Sequence, residues 1–341
     1  MGIAKNRLDD FKKSIDNAKK ILVFFDDDCD GLAAFLQVYK YKGEAVGVAI
    51  RAVPELKAEY IRKIKEHDPD LIVVLDMPMI TEEFLDQNKV PLIWVDHHEP
   101  KNPKGVTYLN PHVEDEEDNR PTSYWIHQAL NSSVWLATVG CIADWFWPEF
   151  VDEFRKEFSN LLPENINTAP DALFNSKVGT IVQVLLFNLK GSVSDMNKSI
   201  KTFTKVQSPI EMLEQTSEPG RFVYKRYLPF REEYERILNS IPISEELFIA
   251  HIYENAGNAY SAEISNELMY RYPDKTFLIG RKNQGDVRCS LRATEKDVWT
   301  PLQKALKGVE GYGGGHKNAC GLSVKEGDFD KLVEVLKKEL T

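Results

Sequence analysis

The run ILVFFDDDCDG (residues 21–31) decides how this chain folds. Five apolar residues, Ile21 to Phe25, are long enough for one buried strand, and they stop at Asp26, Asp27 and Asp28, with Asp30 and Gly31 close behind. An apolar run that ends in acidic, turn-forming residues reads as a strand of a parallel sheet, covered on both faces and presenting its carboxyl end to a ligand. The pattern repeats. Runs at 45–50, at 71–75 ending in Asp76, and at 92–95 ending in Asp96, His97 and His98 are separated by helix-length segments such as Leu32–Tyr41 and Lys57–Glu66. Successive β-α-β units follow, and with them an α/β fold class. Ahead of them, Leu8, Phe11, Ile15 and Ala18 recur at helical spacing and predict an opening amphipathic helix.

From Trp145 to about Ile241 strand signals vanish, and 149–160, 178–188 and 224–240 read as helices. Strand-like runs return at 247–251, 276–280 and 287–293, followed by a glycine-rich turn and a closing helix, Phe329–Leu340. The expected organisation is a parallel-sheet domain over 1–200, a helical connector over 201–241 and a smaller α/β domain over 242–341. A chain of 341 residues is long enough for two such domains, and two domains invite a cleft.

Composition narrows the function classes. No apolar run approaches the roughly 18–20 residues of a membrane-spanning helix, and Lys5, Arg7, Asp9 and Asp10 interrupt any signal-peptide core, so no membrane partner is expected and the cytoplasm is the default location. Cys29, Cys141, Cys289 and Cys320 lie too far apart for a zinc ribbon or redox pair and read as small core residues. A net charge of −10 argues against coating long duplex through a broad basic surface.

The decisive residues are the acids at strand ends: Asp26, Asp28 and Asp30, then Asp76, then Asp96 beside His97 and His98, with Asp144 closing the apolar stretch 137–143. Parallel strands lie about 4.8 Å apart, so these carboxylates converge. Two unit charges at 4 Å repel by about 4 kcal/mol at an effective dielectric near 20, so the cluster needs protons or cations. Cations are the more economical answer. Mixed carboxylate and imidazole donors favour Mn²⁺, with Mg²⁺, Co²⁺ or Zn²⁺ as alternatives. Asp27 alternates away from its neighbours and reads as a cap or outer group. Each aspartate taken singly has a plainer reading as a turn former or helix cap. His67, His112, His127 and His251 have no partners by spacing and read as structural.

In the second domain, period-2 alternation over 287–293 puts Val287, Cys289 and Leu291 on one face and Arg288, Ser290 and Arg292 on the other. Arginine forks match phosphate geometry, although a merely solvated stripe fits the same pattern. Residues 283–286, Asn-Gln-Gly-Asp, suit a hairpin turn. In the run GYGGGH (residues 311–316), Gly313, Gly314 and Gly315 permit positive φ and an anion-binding nest of backbone N–H groups, with His316 and Lys317 adjacent.

These residues together resemble the DHH phosphoesterases, whose tripeptide stands here as Asp96-His97-His98. DDDCDG (26–31) is similar to the D-x-D-x-D-G motif of RecJ-type exonucleases, Asp76 to the single aspartate of the second motif, and Gly140 to Asp144 to the G-x-x-A-D motif. Asn110-Pro111 and the Pro121-Thr122-Ser123 helix start look like the segment that follows the tripeptide in RecJ relatives. Gly313 to Gly321 is similar to the G-G-G-H signature of the DHH-associated domain. Nothing familiar covers roughly 150–240. Relatives of the nanoRNase and family II pyrophosphatase kind carry a ligand histidine where this chain has Phe24, so the RecJ-like arrangement using Asp26 fits better.

The resemblance implies that Asp76 bridges two metals, with Asp26 and Asp28 on one and Asp30, His97 and Asp144 on the other. Asp96 would orient the histidines and His98 would touch the scissile phosphate. The catalytic set is then Asp76, Asp96 and His98, and the substrate-binding set Arg288, Ser290, Arg292, Gly313, Gly314, Gly315 and His316. The expected activity is two-metal hydrolysis of single-stranded or short oligonucleotides, as by a RecJ-like exonuclease or nanoRNase. The alternatives are a phosphatase or phosphodiesterase for pAp, cyclic dinucleotides or polyphosphate, and an inactive replication scaffold.

Overall fold

A computed structural model of the chain describes residues 2–51, 55–254 and 257–341. It divides into two compact units, Met1–Tyr227 and Leu228–Thr341.

The first unit opens with α1 (Lys5–Asn17), which buries Leu8, Phe11 and Ile15 as their spacing requires. Next come β1 (Ile21–Asp26), α2 (Cys29–Lys42) and β2 (Val46–Ile50). Two-residue strands β3 (Glu55–Leu56) and, later, β5 (Met79–Ile80) pair with each other around α3 (Ile61–His67) and β4 (Leu71–Leu75). Then follow α4 (Glu82–Gln87), β6 (Leu92–Val95), β7 (Thr107–Leu109), α5 (Thr122–Leu130) and α6 (Val134–Ala143). The remainder is helical: α7 (Val151–Glu157), α8 (Ala169–Asn175), α9 (Lys177–Asn188), α10 (Val193–Phe203), α11 (Pro209–Leu213) and α12 (Glu218–Ser240). That last helix runs past the end of the first unit at Tyr227.

The central sheet has the order β2-β1-β4-β6-β7, parallel throughout. The chain builds outward from β1 to β2, then crosses to β4 and builds the other way. Strand order therefore reverses between β1 and β4, and the crevice beyond their carboxyl ends is where such sheets bind ligands. Register sharpens the point. Phe25 pairs with Leu75, and Leu75 with Val95, so the next residues, Asp26, Asp76 and Asp96, stand level on three adjacent strands.

One sheet face packs Leu22, Phe24, Ile72, Val74 and Trp94 against Ile61, Ile64 and Phe84. Phe24 is fully buried there, with its ring edge-on to Phe84 and Tyr60. Burying a side chain of this kind stabilises by about 1.5–3 kcal/mol. The opposite face meets α2, where Phe25 stacks on Phe35 at 5.0 Å. All four cysteines are buried and unbridged.

The second unit comprises β8 (Phe248–Tyr253), α13 (Ser261–Arg271), β9 (Thr276–Asn283), β10 (Asp286–Arg292), α14 (Trp299–Leu306), β11 (Gly311–His316), β12 (Ala319–Lys325) and α15 (Phe329–Leu340). Its sheet has the order β11-β12-β10-β9-β8, with β8 parallel to β9 and the other pairs antiparallel. Gln284 and Gly285, both at positive φ (53° and 88°), join β9 to β10 in a two-residue hairpin, the geometry that matches strand twist. Val287, Cys289 and Leu291 face a core shared with α14 and α15. The glycine run departs from expectation. Residues 311–316 form not a turn but the edge strand of the sheet, since pairing with β12 supplies the order that glycine lacks. Among the described residues, no helix is long and apolar enough to cross a membrane.

Candidate metal centre

At the end of β1, Asp26 is half-buried and its Oδ1 accepts the Asp27 N–H at 2.9 Å. Asp27 turns aside to pair with Arg51, 3.5 Å from its Nε. Asp28 caps α2, accepting the Gly31 N–H at 2.9 Å. Only glycine fits at 31, because a Cβ there would lie 2.6 Å from the Asp26 carbonyl oxygen. Asp30, in the first turn of α2 and 2% exposed, accepts the backbone N–H groups of Thr122 (2.8 Å) and Ser123 (2.9 Å).

Asp76 follows β4 in the left-handed conformation at φ 59°, a strained region for a non-glycine residue that aspartate tolerates better than most. Its N–H is fixed by the Val95 carbonyl at 3.0 Å, and its side chain is 1% exposed. Its Oδ1 lies 3.3 Å from His97 Nε2 and accepts from the Thr122 hydroxyl at 3.3 Å. His97 Nε2 is also 3.7 Å from Asp144 Oδ2. Asp144 closes α6, where Trp145 takes φ 61° and the Phe146 N–H reaches back to the Cys141 carbonyl, locking the chain reversal that holds the carboxylate in place. Asp76, His97 and His98 each offer one ligand atom, all within 4.8 Å of one another.

His98 is held from behind. Its Nδ1 lies 2.8 Å from Asp96 Oδ1, and Asp96 is fully buried. Asp96 Oδ2 also accepts from the His98 N–H (3.2 Å), from Asn110 Nδ2 (3.3 Å) and from the Tyr108 hydroxyl (3.5 Å). Asn110 Nδ2 further donates to the His98 carbonyl at 2.9 Å. Tyr108 entered no sequence argument, and Thr122 entered only as part of the helix start at 121–123. Nothing in their spacing shows a hydroxyl aimed at a carboxylate from another element.

The electrostatics follow from crowding. Burial, then the charges of Asp28 and Asp27, push Asp26 up to about 8. Burial and Asp28 push Asp30 up to about 7. Burial first, then neighbouring aspartates, raise Asp76 and Asp144 well above the ordinary carboxylate range. Burial depresses His97 to about 3, so its imidazole is neutral. For His98 burial alone would lower the value, but the Asp96 bond and charge, with Asp28 and Asp144, outweigh it and lift it to about 9. Hard carboxylate oxygens meeting a neutral imidazole in one buried volume are the donor set that divalent cations take, and the residues present fit such a group.

In the second unit, Arg288 is exposed, whereas Ser290 is buried beneath α13, where Ser265 donates to it at 3.0 Å. Arg292 is held by Asn266 Oδ1 at 2.8 Å and the Cys320 carbonyl at 3.0 Å. Gly313 is half-buried, and Gly314, Gly315 and His316 are exposed along the edge strand. The left-right alternation of a nest is absent there, since Gly315 (φ 144°) alone of the described residues 311–316 has positive φ. Tyr312 projects from the same strand, 71% exposed.

The N-terminal domain of the DHH family matches residues 20–168, and the DHHA1 domain matches residues 245–341. Among solved structures, the chain is similar to RecJ from Thermus thermophilus in complex with Mn²⁺, at 15% identity and TM-score 0.70, over 100% of this chain and 55% of that one. A second exonuclease RecJ, bound to manganese, matches at 15% identity and TM-score 0.59, over 100% and 95%. A DHH domain from a protein described as a member of a ribosomal-protein family matches at 16% identity and TM-score 0.65, over 98% and 90%. The chain thus spans about half the length of the Thermus RecJ chain, and at these identities the likeness is one of fold. No protein of curated function matches it in sequence.

Proposed function

Because the chain belongs to the DHH family of phosphoesterases, we propose that it hydrolyses phosphodiester bonds in single-stranded or short oligonucleotides at a pair of divalent cations, Mn²⁺ first. One observation carries the reading: His97 Nε2 lies 3.3 Å from Asp76 Oδ1, from the end of the neighbouring strand, and 3.7 Å from Asp144 Oδ2, with His98 and the β1 aspartates beside them. Asp76, His97, Asp144, Asp30, Asp28 and Asp26 would hold the cations. When bound, the cations supply Lewis acidity that activates water and offsets phosphate charge.

The chain's own groups do the rest. Burial keeps the His97 imidazole neutral and its lone pair available. Asp96 fixes the His98 ring through Nδ1 and keeps it charged, leaving the other ring nitrogen to donate to a phosphate oxygen. Arg288, the edge-strand glycines and His316 would bind substrate phosphates. A net charge of −10 favours short substrates, since counterion release along a long strand needs an extended basic surface.

The test is incubation of the full chain with labelled short RNA and DNA oligomers, with and without Mn²⁺, resolving products by length. Mn²⁺-dependent shortening is expected. Intact oligomers alongside hydrolysed polyphosphate would reject the nucleic-acid substrate, and cleavage persisting in Asp76→Ala would reject the site.

A further inference from the structure

Three aspartates stand together at the end of β1, and the middle one leaves the group. The charges of Asp26 and Asp28 act on Asp76 and on each other, whereas Asp27 turns toward β2, where its Oδ2 lies 3.5 Å from Arg51 Nε. Register places this partner. Asp26 pairs with Ile50, so Arg51 follows β2 level with Asp27, on the carboxyl edge of the sheet that also carries Asp76 and His97. Neighbouring strands lie about 4.8 Å apart, which puts Arg51 one strand spacing from the β1 aspartates and two from Asp76.

The guanidinium is gripped from a second side. Its Nη1 donates at 2.9 Å to the carbonyl of Gly191, which completes the turn between α9 and α10 at φ 89°. That turn is itself anchored. Buried Asn188 donates to the Val184 and Val223 carbonyls and accepts from the Ser199 hydroxyl, and Arg226 Nη2 donates to the Lys190 carbonyl. Half-buried Lys190, its Nζ 5.8 Å from the centre of the Phe187 ring, is near enough for its charge to act on Asp27. Two cations thus meet one carboxylate, and the corner carries a surplus positive charge. The Arg51 side chain is a third exposed, and among the described residues its Nη2 has no hydrogen-bond partner.

We propose that Arg51 and Lys190 form a phosphate subsite on the β2 side of the metal centre, taking the phosphate next to the scissile one, with Asp27 as the positioning residue that holds Arg51. The remainder of that edge is acidic, so a second phosphate approaching the β1 aspartates is repelled unless a cation stands beside it. A planar guanidinium held on two sides, with one nitrogen open, matches phosphate geometry at little further ordering cost. The proposal rests on the nuclease reading above and deepens it, since it favours substrates that carry another phosphate one nucleotide from the bond cut. It also gives the α9–α10 turn, in a stretch without recognisable motifs, a part in the site.

The experiment is steady-state hydrolysis by the full chain, with Mn²⁺, of a dinucleotide carrying a 5′-phosphate, a 3′-phosphate or neither. One of the two terminal phosphates should raise kcat/KM of the wild type. In Arg51→Gln that gain should shrink about tenfold, mainly through KM, because a charge-assisted bond to phosphate is lost. Arg51→Lys, which keeps the charge without the fork, should recover part of it, and Asp27→Asn should lose part of it. Lys190→Met should shrink the gain by a smaller factor, and it carries the test should Arg51→Gln fail to fold. A gain in Arg51→Gln and Lys190→Met equal to that of the wild type, even with every rate lower, would make the ion pair purely structural and overturn the proposal. A wild type indifferent to both terminal phosphates would overturn it equally. A wild-type chain that cleaves none of the three dinucleotides would instead bring down the nuclease reading itself, and this subsite with it.

Discussion

His97 Nε2 lies 3.3 Å from Asp76 Oδ1, two groups delivered by the ends of adjacent strands β6 and β4. With His97 neutral, a cation shared by its Nε2 and the Asp76 carboxylate would suit this contact. Asp76→Asn keeps the size and the tolerance of a left-handed backbone, so the fold should survive while Mn²⁺ binding and hydrolysis fall by at least about a hundredfold. Circular dichroism and calorimetry on the same sample check both halves.

The crowded carboxylates give metal-free protein a characteristic pH response. Asp26, up to about 8, and Asp30, up to about 7, hold protons in the fold that they release at about 3.9 when unfolded. Folded values raised above unfolded ones contribute stability that is complete below the unfolded value and is lost as pH rises through the folded one. His98, lifted to about 9, has the same sign, while His97, held neutral, opposes it below about pH 6.5. Chelator-treated protein should therefore melt at progressively lower temperature between about pH 6 and 8, and saturating Mn²⁺ should flatten or reverse that slope. A metal-free melting temperature constant across the window would contradict the clustering.

Asp96→Asn removes the charge behind His98 and leaves a hydrogen-bonding side chain of equal size. The His98 value should drop from about 9, so the alkaline limb of the pH–rate profile should move to lower pH, with kcat/KM at pH 8 down roughly 10–100-fold. An unmoved limb would remove protonated His98 from the reaction.

The architecture was legible where apolar runs end in acid. All four strands of the central sheet read from sequence are present, and Asp76, Asp96, His97 and His98 meet because Asp76 and Asp96 immediately follow adjacent strands and the two histidines come next. What escaped depended on tertiary partners. Thr107–Leu109 is too short to carry a period, and it forms a strand only because β6 lies beside it. Glycine composition predicted a turn at 311–316, yet cross-strand pairing overrode propensity. Alternation set Ser290 apart from the apolar face correctly, but could not show that α13 covers the face on which it stands. The link from Asp30 to Thr122 spans 92 residues, and no local pattern encodes a cap supplied from that distance.

The arginines of β10 separate by environment. Arg292, tied to Asn266 and the Cys320 carbonyl, should cost about 1–3 kcal/mol of stability when replaced by alanine, because the half-buried Asn266 and the buried Cys320 lose their donor. Arg288 is exposed, so Arg288→Ala should leave stability within about 0.5 kcal/mol and raise KM for an oligonucleotide. Urea denaturation and steady-state kinetics on both variants distinguish a structural arginine from a phosphate-binding one. An unchanged KM in Arg288→Ala would remove it from the substrate site.

Gly140 offers the sharpest check on how the helices hold the site. A methyl group at 140 would meet Ser123 Oγ at 2.4 Å and Ser123 Cβ at 2.7 Å, and the Ala33 Cβ stands at 3.0 Å. A serine rotamer change relieves the first contact but not the other two, so α6 must move away from α5 and α2. Gly140→Ala gains about 1 kcal/mol of helix propensity, yet overpacking costs about 1–3 kcal/mol, so the net change should be neutral to destabilising by up to about 2 kcal/mol. The shift also carries Asp144, four residues along α6, away from His97, which it faces at 3.7 Å. Mn²⁺ affinity should therefore fall by more than stability does, and a variant that loses stability but binds Mn²⁺ as the wild type would show that α6 does not set the position of Asp144.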